Sequence, residues 1–303
     1  MSMLDELGQA VEEVAASAGR SVVRVGRDWR GCGVVVEPGV IVTNAHNLRG
    51  PEVTVTLADG RQIAASVAGA DVEGDLAVLS ADTGDVTPVA WAPAPPTVGS
   101  AVVGVGGGTS SAPRATLGFV SAVDQAFRGP RGRRVAGAIE HTAPLARGSS
   151  GGPVLDAHGR LVGINTHRLG DGFYMAVPAD DSLRSRIDAL AAGDAPRHLR
   201  LGIGIAPAAV ARRLRRAVGL PPRDGLLVRK VDDASPAGRA GIREGDMIAT
   251  AGGAELRTAD DLHEALDRLA PGAPLLLGVV RGADDLEIAV SFDAAASEEE
   301  GQV

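Results

Sequence analysis

The sequence predicts a mainly β chain: two small barrels in tandem, followed by a smaller α+β unit. Three observations carry this reading. Short valine-rich runs recur from Val22 to Asn165, punctuated by glycine, proline and aspartate. The segment Ala92-Pro93-Ala94-Pro95-Pro96 divides these runs into two groups. Beyond Gly193-Asp194-Ala195-Pro196, strand-like runs are mixed with amphipathic helical stretches.

In chain order, residues 1–19 read as a helix, because Leu4, Leu7, Val11 and Val14 share one face. A first unit over 20–192 opens with Val22-Val23-Arg24-Val25, Val34-Val35-Val36 and Val40-Ile41-Val42. Glu52 to Leu57 alternates with period two, and Ala58-Asp59-Gly60-Arg61 turns it into Gln62-Ile63 as a hairpin. Leu76-Ala77-Val78-Leu79 closes the first group. The second group holds Ala101 to Val105, Gly118 to Val123 and Leu161 to Asn165, then a helical stretch from Ser182 to Ala192. Residues 193–199 read as a linker and 200–293 as the second unit. There Ser235-Pro236 suits a helix start, Gly241 its left-handed close, and Thr258 with Asp261 a capping box. Leu262, Ala265, Leu266 and Leu269 give that last helix its apolar face. The acidic tail 294–303 is expected to be disordered.

Composition narrows the function classes. The 303 residues suit two domains. Aromatics are only 2%, so the cores must be aliphatic. A net charge of -8 argues against nucleic acid as a partner. Cys32 is the only cysteine, which rules out an intrachain disulfide and a cysteine zinc cluster; a buried, inert role is expected. Gly104-Val105-Gly106-Gly107-Gly108-Thr109 follows a strand but lacks the last glycine of a dinucleotide fingerprint, and no cofactor is expected. The N-terminus has neither the basic nor the apolar region of a secretory signal. With Met1 as the natural start, a cytoplasmic location follows. Arg128, Arg131, Arg133 and Arg134 read as a solvated loop, and Arg212, Arg213, Arg215 and Arg216 as an exposed helix face.

The chemistry centres on Ala146-Arg147-Gly148-Ser149-Ser150-Gly151-Gly152-Pro153. A hydroxyl is a poor nucleophile at neutral pH and needs an adjacent base, itself oriented by a third group. It also needs N–H donors where the oxyanion develops, each worth about 3 kcal/mol. The amides of Gly148 and Ser150 can form such a hole, and Gly151 and Gly152 allow a sharp turn. Taken alone, such a turn is most often a plain loop. Of six histidines, only His46 directly follows an apolar strand and a Thr-Asn-Ala turn. Asp75, in Glu-Gly-Asp-Leu-Ala-Val-Leu, completes a serine, histidine and aspartate set.

Thr43-Asn44-Ala45-His46, Gly74-Asp75-Leu76-Ala77-Val78 and Gly148-Ser149-Ser150-Gly151-Gly152-Pro153 resemble the three signatures of trypsin-like serine proteases, in the order His, Asp, Ser. The separations of 29 and 75 residues are similar to those of the compact HtrA/DegP branch. Gly159 to Thr166 and Met175-Ala176-Val177-Pro178 resemble it too. The resemblance implies a chymotrypsin-like double β-barrel and proteolysis in protein quality control. It makes Ser150 the nucleophile, His46 the general base and then acid, Asp75 the orienting group, and the amides of Gly148 and Ser150 the oxyanion hole. This sequence departs from the family pattern at Ser149, usually Asn; at Asn47-Leu48, usually an apolar pair; and at Thr142, often Asp. Tyr174 stands where a small residue is usual near the specificity pocket, which predicts a narrow pocket and cleavage after small or medium apolar residues.

Residues 200–293 resemble a PDZ domain of the HtrA type, through Arg200-Leu201-Gly202-Ile203, Asp233-Ala234-Ser235-Pro236-Ala237 and Ala240 to Ile248. Such modules capture a chain end as a strand added to a sheet edge. The resemblance implies that amides near Leu201, Gly202 and Ile203 hold the carboxylate of a peptide C-terminus. The partners expected are therefore polypeptide substrates and peptide C-termini. Homotrimers occur in the family through aromatic N-terminal contacts; no aromatic precedes Trp29 here, so the assembly stays open. The alternative from another class is a non-catalytic peptide-binding or chaperone scaffold that keeps the protease fold.

Overall fold

The computed structural model describes residues 2–27, 30–106, 114–129, 132–196, 198–217, 219, 221 and 223–292. The acidic tail, Trp29, Arg131 and the glycine run after Gly106 lie outside them. The chain divides into two compact units, Met1–Pro196 and Arg197–Val303.

In the first unit, helix α1 (Met3–Ala18) is capped by Ser2, whose hydroxyl accepts from the Asp5 amide while Asp5 returns a bond to the Ser2 amide. Six strands follow: β1 (Val22–Val25), β2 (Gly31–Glu37), β3 (Val40–Thr43), β4 (Glu52–Thr56), β5 (Gln62–Asp71) and β6 (Leu76–Ala81). They close a barrel in the order β1-β2-β3-β6-β5-β4. A second six comprises β7 (Ala101–Gly106), β8 (Arg114–Arg128), β9 (Arg134–His141), β10 (Pro153–Leu155), β11 (Leu161–Gly170) and β12 (Phe173–Pro178). These close in the order β10-β11-β12-β9-β8-β7, and helix α2 (Asp181–Ala191) follows, capped by Asp180.

The valine runs are continuous rather than alternating because both strand faces are covered. Successive side chains point to opposite faces. Val35, Ile41 and Leu79 fill the first barrel with Val23, Val55 and Leu57. Their neighbours Val34, Val42 and Val78 turn outward into a second core. The second barrel repeats the device: Val102, Val154 and Val162 point inward, while Val103, Leu155 and Leu161 point into that same shared core. The shared core therefore forms a seam between the barrels, closed by Val14 of α1 and by Leu183, Ile187 and Leu190 of α2.

One expectation is corrected here, and one strand had not been foreseen. The apolar face of α1 is only half used: Val14 is buried, but Leu4 and Leu7 are exposed, because the first turns extend past the seam. Strand β9 was not legible as one, since Arg134, Gly137 and Glu140 dilute its pattern, and its pairing with β8 shifts register around Asp124 at φ 54°.

The second unit contains β13 (Ile203–Ala206), α3 (Ala208–Ala217), β14 (Leu226–Val231), α4 (Pro236–Arg239), β15 (Met247–Ala251), β16 (Ala254–Glu255), α5 (Ala259–Asp267), β17 (Leu275–Arg281) and β18 (Asp284–Val290). The sheet runs β13-β14-β15-β17-β18, with β16 beside β15, so β13 is an edge strand. Ser235 caps α4, and Thr258 with Asp261 forms the capping box of α5. Leu262 and Leu266 pack in one cluster with Leu201, Ile203 and Ile205. Arg215 departs from the exposed face expected of it: it is buried and donates to the carbonyls of Pro221 and Gly282 at 3.0 and 3.2 Å.

Candidate active site

His46, Asp75 and Ser150 all sit on turns at strand ends along the seam. His46 lies in a short 3-10 turn after β3, Asp75 in the β5–β6 turn, and Ser150 in the turn entering β10. The structure brings His46 and Asp75 together: the imidazole Nδ1 is 2.9 Å from each carboxylate oxygen. Asp75 has φ 52°, a left-handed conformation that aspartate tolerates better than most residues. Its backbone carbonyl accepts from the Asn44 side chain at 2.9 Å, which holds the turn.

The buried Asp75 carboxylate also accepts from the His46 amide at 3.2 Å and from the Thr166 hydroxyl at 2.7 Å. Three donors thus offset the cost of removing a carboxylate from water. With Nδ1 turned toward this acceptor, the hydrogen-bond network assigns the ring proton to Nδ1 and leaves Nε2 free to accept.

The Ser150 turn is fixed through its backbone. Its carbonyl accepts from the Cys32 amide at 2.8 Å and from the Asn47 side chain at 3.0 Å. Gly151 donates to the Asn165 carbonyl at 2.7 Å and Gly152 to that of Ser149 at 3.0 Å. Gly151 has φ 86°, and a Cβ there would fall 2.1 Å from the Cys32 carbonyl oxygen, so only glycine fits. The amides of Gly148 and Ser150 have no acceptor among the described residues. The Ser150 hydroxyl makes a long bond of 3.4 Å to the Thr166 carbonyl and none to His46. Cys32 is fully buried, and its thiol donates to the Gly148 carbonyl at 3.1 Å.

Two residues of this site carried no role in the sequence. Thr166 appeared only as the last letter of Gly-Ile-Asn-Thr. Asn47 appeared only as a departure from an apolar pair, yet it is buried and bridges the Ser150 carbonyl and the Thr43 hydroxyl, 3.0 Å from each. Gly31 makes room for it, because a Cβ there would lie 2.1 Å from the Asn47 amide nitrogen.

Beside Ser150 lies a cavity of about 250 Å³ lined by Ala146, Arg147, Thr166, Arg168 and Tyr174 among others. Tyr174 stacks on His141 with ring centres 5.7 Å apart. His141 is fully buried behind it, with Nε2 2.9 Å from the Asn165 side-chain oxygen. Burial pushes the His141 imidazole below the usual histidine pKa, against the opposing pull of Asn165 and Glu140. Thr142 faces elsewhere: its hydroxyl accepts from the Phe119 amide at 3.0 Å.

In the second unit, Leu201 is buried and its carbonyl accepts from the Ala237 amide at 3.0 Å. The Gly202 carbonyl accepts from the Asp232 amide at 3.0 Å. The amides of Leu201 and Gly202 find no acceptor among the described residues. Ile203 begins β13, paired with Val231 of β14.

A trypsin-like peptidase domain model matches residues 31–164, and a PDZ domain model matches residues 201–292. Over 276 residues the chain is 33% identical to a putative serine protease HhoA of Synechocystis sp., covering 86% of this chain and 70% of that one. The chain belongs to the HtrA/DegP-like family of serine proteases. Other members are similar at lower coverage. The chain is 28% identical to the periplasmic pH-dependent serine endoprotease DegQ of Escherichia coli and spans 60% of its length. It is 29% identical to a probable periplasmic DegP-like endoprotease of Halomonas elongata and spans 55% of that. Among solved structures, the HtrA-type protease AlgW with a decapeptide aligns at TM-score 0.69 and 22% identity, over 93% of this chain and 97% of that one. A serine endoprotease from Yersinia pestis aligns at TM-score 0.65 and 23% identity, over 93% and 98%. At these identities the likeness is one of fold: this HtrA-family chain combines a trypsin-like double barrel with a PDZ domain.

Proposed function

We propose that this HtrA-family chain is a serine endopeptidase that cuts misfolded or tagged polypeptides, with Ser150 as nucleophile, His46 as general base and Asp75 as orienting group. The observation that carries the reading is the His46–Asp75 pair, at 2.9 Å to both carboxylate oxygens, beside the amides of Gly148 and Ser150, which have no acceptor among the described residues. Attack begins when Ser150 turns about χ1 from the Thr166 carbonyl toward His46 Nε2, which takes its proton. The oxyanion then forms against the Gly148 and Ser150 amides, which the turn already holds in place. His46 passes the proton to the departing amine, and Asp75 stabilises the imidazolium in between. Water repeats the cycle on the acyl-enzyme.

In the same reading, the PDZ domain takes a substrate C-terminus along β13. The amides of Leu201, Gly202 and Ile203 hold its carboxylate, and its last apolar side chain lies over Leu262 and Leu266.

One observation favours the non-catalytic scaffold instead: the Ser150 hydroxyl points at the Thr166 carbonyl rather than at His46. A fluorophosphonate probe separates the two readings. The peptidase reading expects stoichiometric labelling of the intact chain, abolished in Ser150→Ala and strongly slowed in His46→Ala. A chain that binds peptides but takes up no probe is a scaffold.

A further inference from the structure

One cavity borders the nucleophile turn and another borders Asn47, and both carry arginines in their walls. The cavity of about 250 Å³ beside Ser150 carries Arg147 and Arg168, with no aspartate or glutamate among the described residues that line it. A second cavity, of about 520 Å³, is bounded in part by Asn47, the residue that follows His46. Arg27, Arg30 and Arg49 line it, and Glu52 is its one carboxylate among the described residues. Asn47 lines this second cavity and donates to the Ser150 carbonyl, so the two spaces adjoin the same peptide unit.

None of these five guanidinium groups makes an ion pair or hydrogen bond with a described residue. Arg168 lies over the Tyr174 ring, 5.7 Å from its centre. Elsewhere in the same unit, Arg61, Arg133, Arg160 and Arg186 pair with carboxylates. In a chain of net charge -8, these five cations around the two cavities thus have no acidic partner among the described residues. Unpaired positive charge in a concave wall raises the local concentration of anionic groups and guides them in.

We propose that these two cavities select acidic polypeptide segments, with an Asp or Glu side chain in the smaller cavity before the cut and acidic side chains in the larger cavity after it. The inference rests on Ser150 being the nucleophile, since that fixes the direction of the chain. The acyl carbonyl occupies the hole at Gly148 and Ser150, so the residue before the cut enters the cavity that these residues line. His46 protonates the departing amine, so the leaving segment runs past His46 and Asn47 into the arginines beyond.

The smaller cavity suits a short carboxylate. Tyr174 lines it, and the tyrosine hydroxyl has no partner among the described residues. A carboxylate between that hydroxyl and the Arg168 guanidinium accepts from both, a charge-assisted arrangement. Wall charge therefore redirects the size-based expectation of an apolar residue before the cut.

The test uses the full-length protein and peptide pairs that differ by one isosteric change. In the first pair the residue before the scissile bond is Glu or Gln. In the second pair the change lies two residues after it. Each preparation is also titrated with the fluorophosphonate probe. At low salt, kcat/KM should favour Glu by about five- to tenfold in both pairs, and the preference should fall toward unity near 1 M salt, where the Debye length is about 3 Å. Arg168→Gln should shrink the ratio in the first pair, and Arg49→Gln the ratio in the second. An enzyme that labels at Ser150 yet shows a ratio of one or below overturns this inference and leaves the peptidase reading standing. Failure to label overturns both.

Discussion

The side-chain amide of Asn47 donates to the carbonyl oxygen of Ser150 across 103 residues of sequence. The donor follows the proposed base directly, and the acceptor belongs to the proposed nucleophile, so one hydrogen bond ties the two halves of the site together. With the Cys32 amide it fixes the Ser150–Gly151 peptide plane. The other atom of that amide, Asn47 Oδ1, is buried without a partner among the described residues. Such an atom is costly, so the bond from Asn47 to Ser150 comes with a local cost in stability.

Asn47→Val separates these two effects. It removes the bond to Ser150 and also the stranded oxygen. We expect kcat to fall about tenfold, the loss of roughly 1.4 kcal/mol from one positioning bond, with KM within about twofold. The melting temperature should stay level or rise. Steady-state kinetics on a peptide ester and a thermal melt read the two quantities. A variant that melts lower with kcat intact would make Asn47 a packing residue only.

His141 predicts a pH dependence of stability. Its folded-state pKa is lowered by burial, so the unfolded chain binds the proton first as pH falls. Stability from this residue is therefore complete above the unfolded value of about 6.5 and declines as pH drops toward the folded value. Protonation would also place a donor at Nδ1, which is buried with no partner among the described residues. Denaturant midpoints at pH 7.5 and 5.5 should differ less in His141→Gln than in the parent chain. Equal differences would assign the acid sensitivity to other groups.

Gly202 makes the PDZ reading specific. It has φ 75°, and a Cβ there would lie 2.1 Å from that of Ser235. Gly202→Ala must displace the backbone that presents the Leu201 and Gly202 amides. Affinity for a peptide with a free apolar C-terminus, followed by fluorescence anisotropy, should fall at least about tenfold, matching the loss produced by amidating the same peptide in the parent chain. Unchanged affinity would move the binding site elsewhere on the unit.

The proposed catalytic positions were legible because each is set by local context: an apolar strand running into His46, a glycine turn around Ser150, and an acidic turn ahead of Leu76. The barrels were legible from the same valine runs, although which valine faces which core depended on pairing alone. What escaped was long-range. The bond from Thr166 to Asp75 spans 91 residues, and nothing next to Thr166 announces it. Strand β9 escaped because Arg134, Gly137 and Glu140 interrupt its apolar period. Arg215 looked like one more surface cation, and only the fold brings the Pro221 and Gly282 carbonyls to it.

The seam between the barrels has a consequence of its own. His46 and Asp75 come from one side of it and Ser150 from the other, while the proline-rich stretch 92–96 is the connection between them. Neither half holds all three of the proposed catalytic groups. Cut within that stretch, the chain would yield two inert fragments whose activity returns only when they find each other. The seam would then serve as the basis of a split reporter, since turnover would count fragment encounters rather than folding.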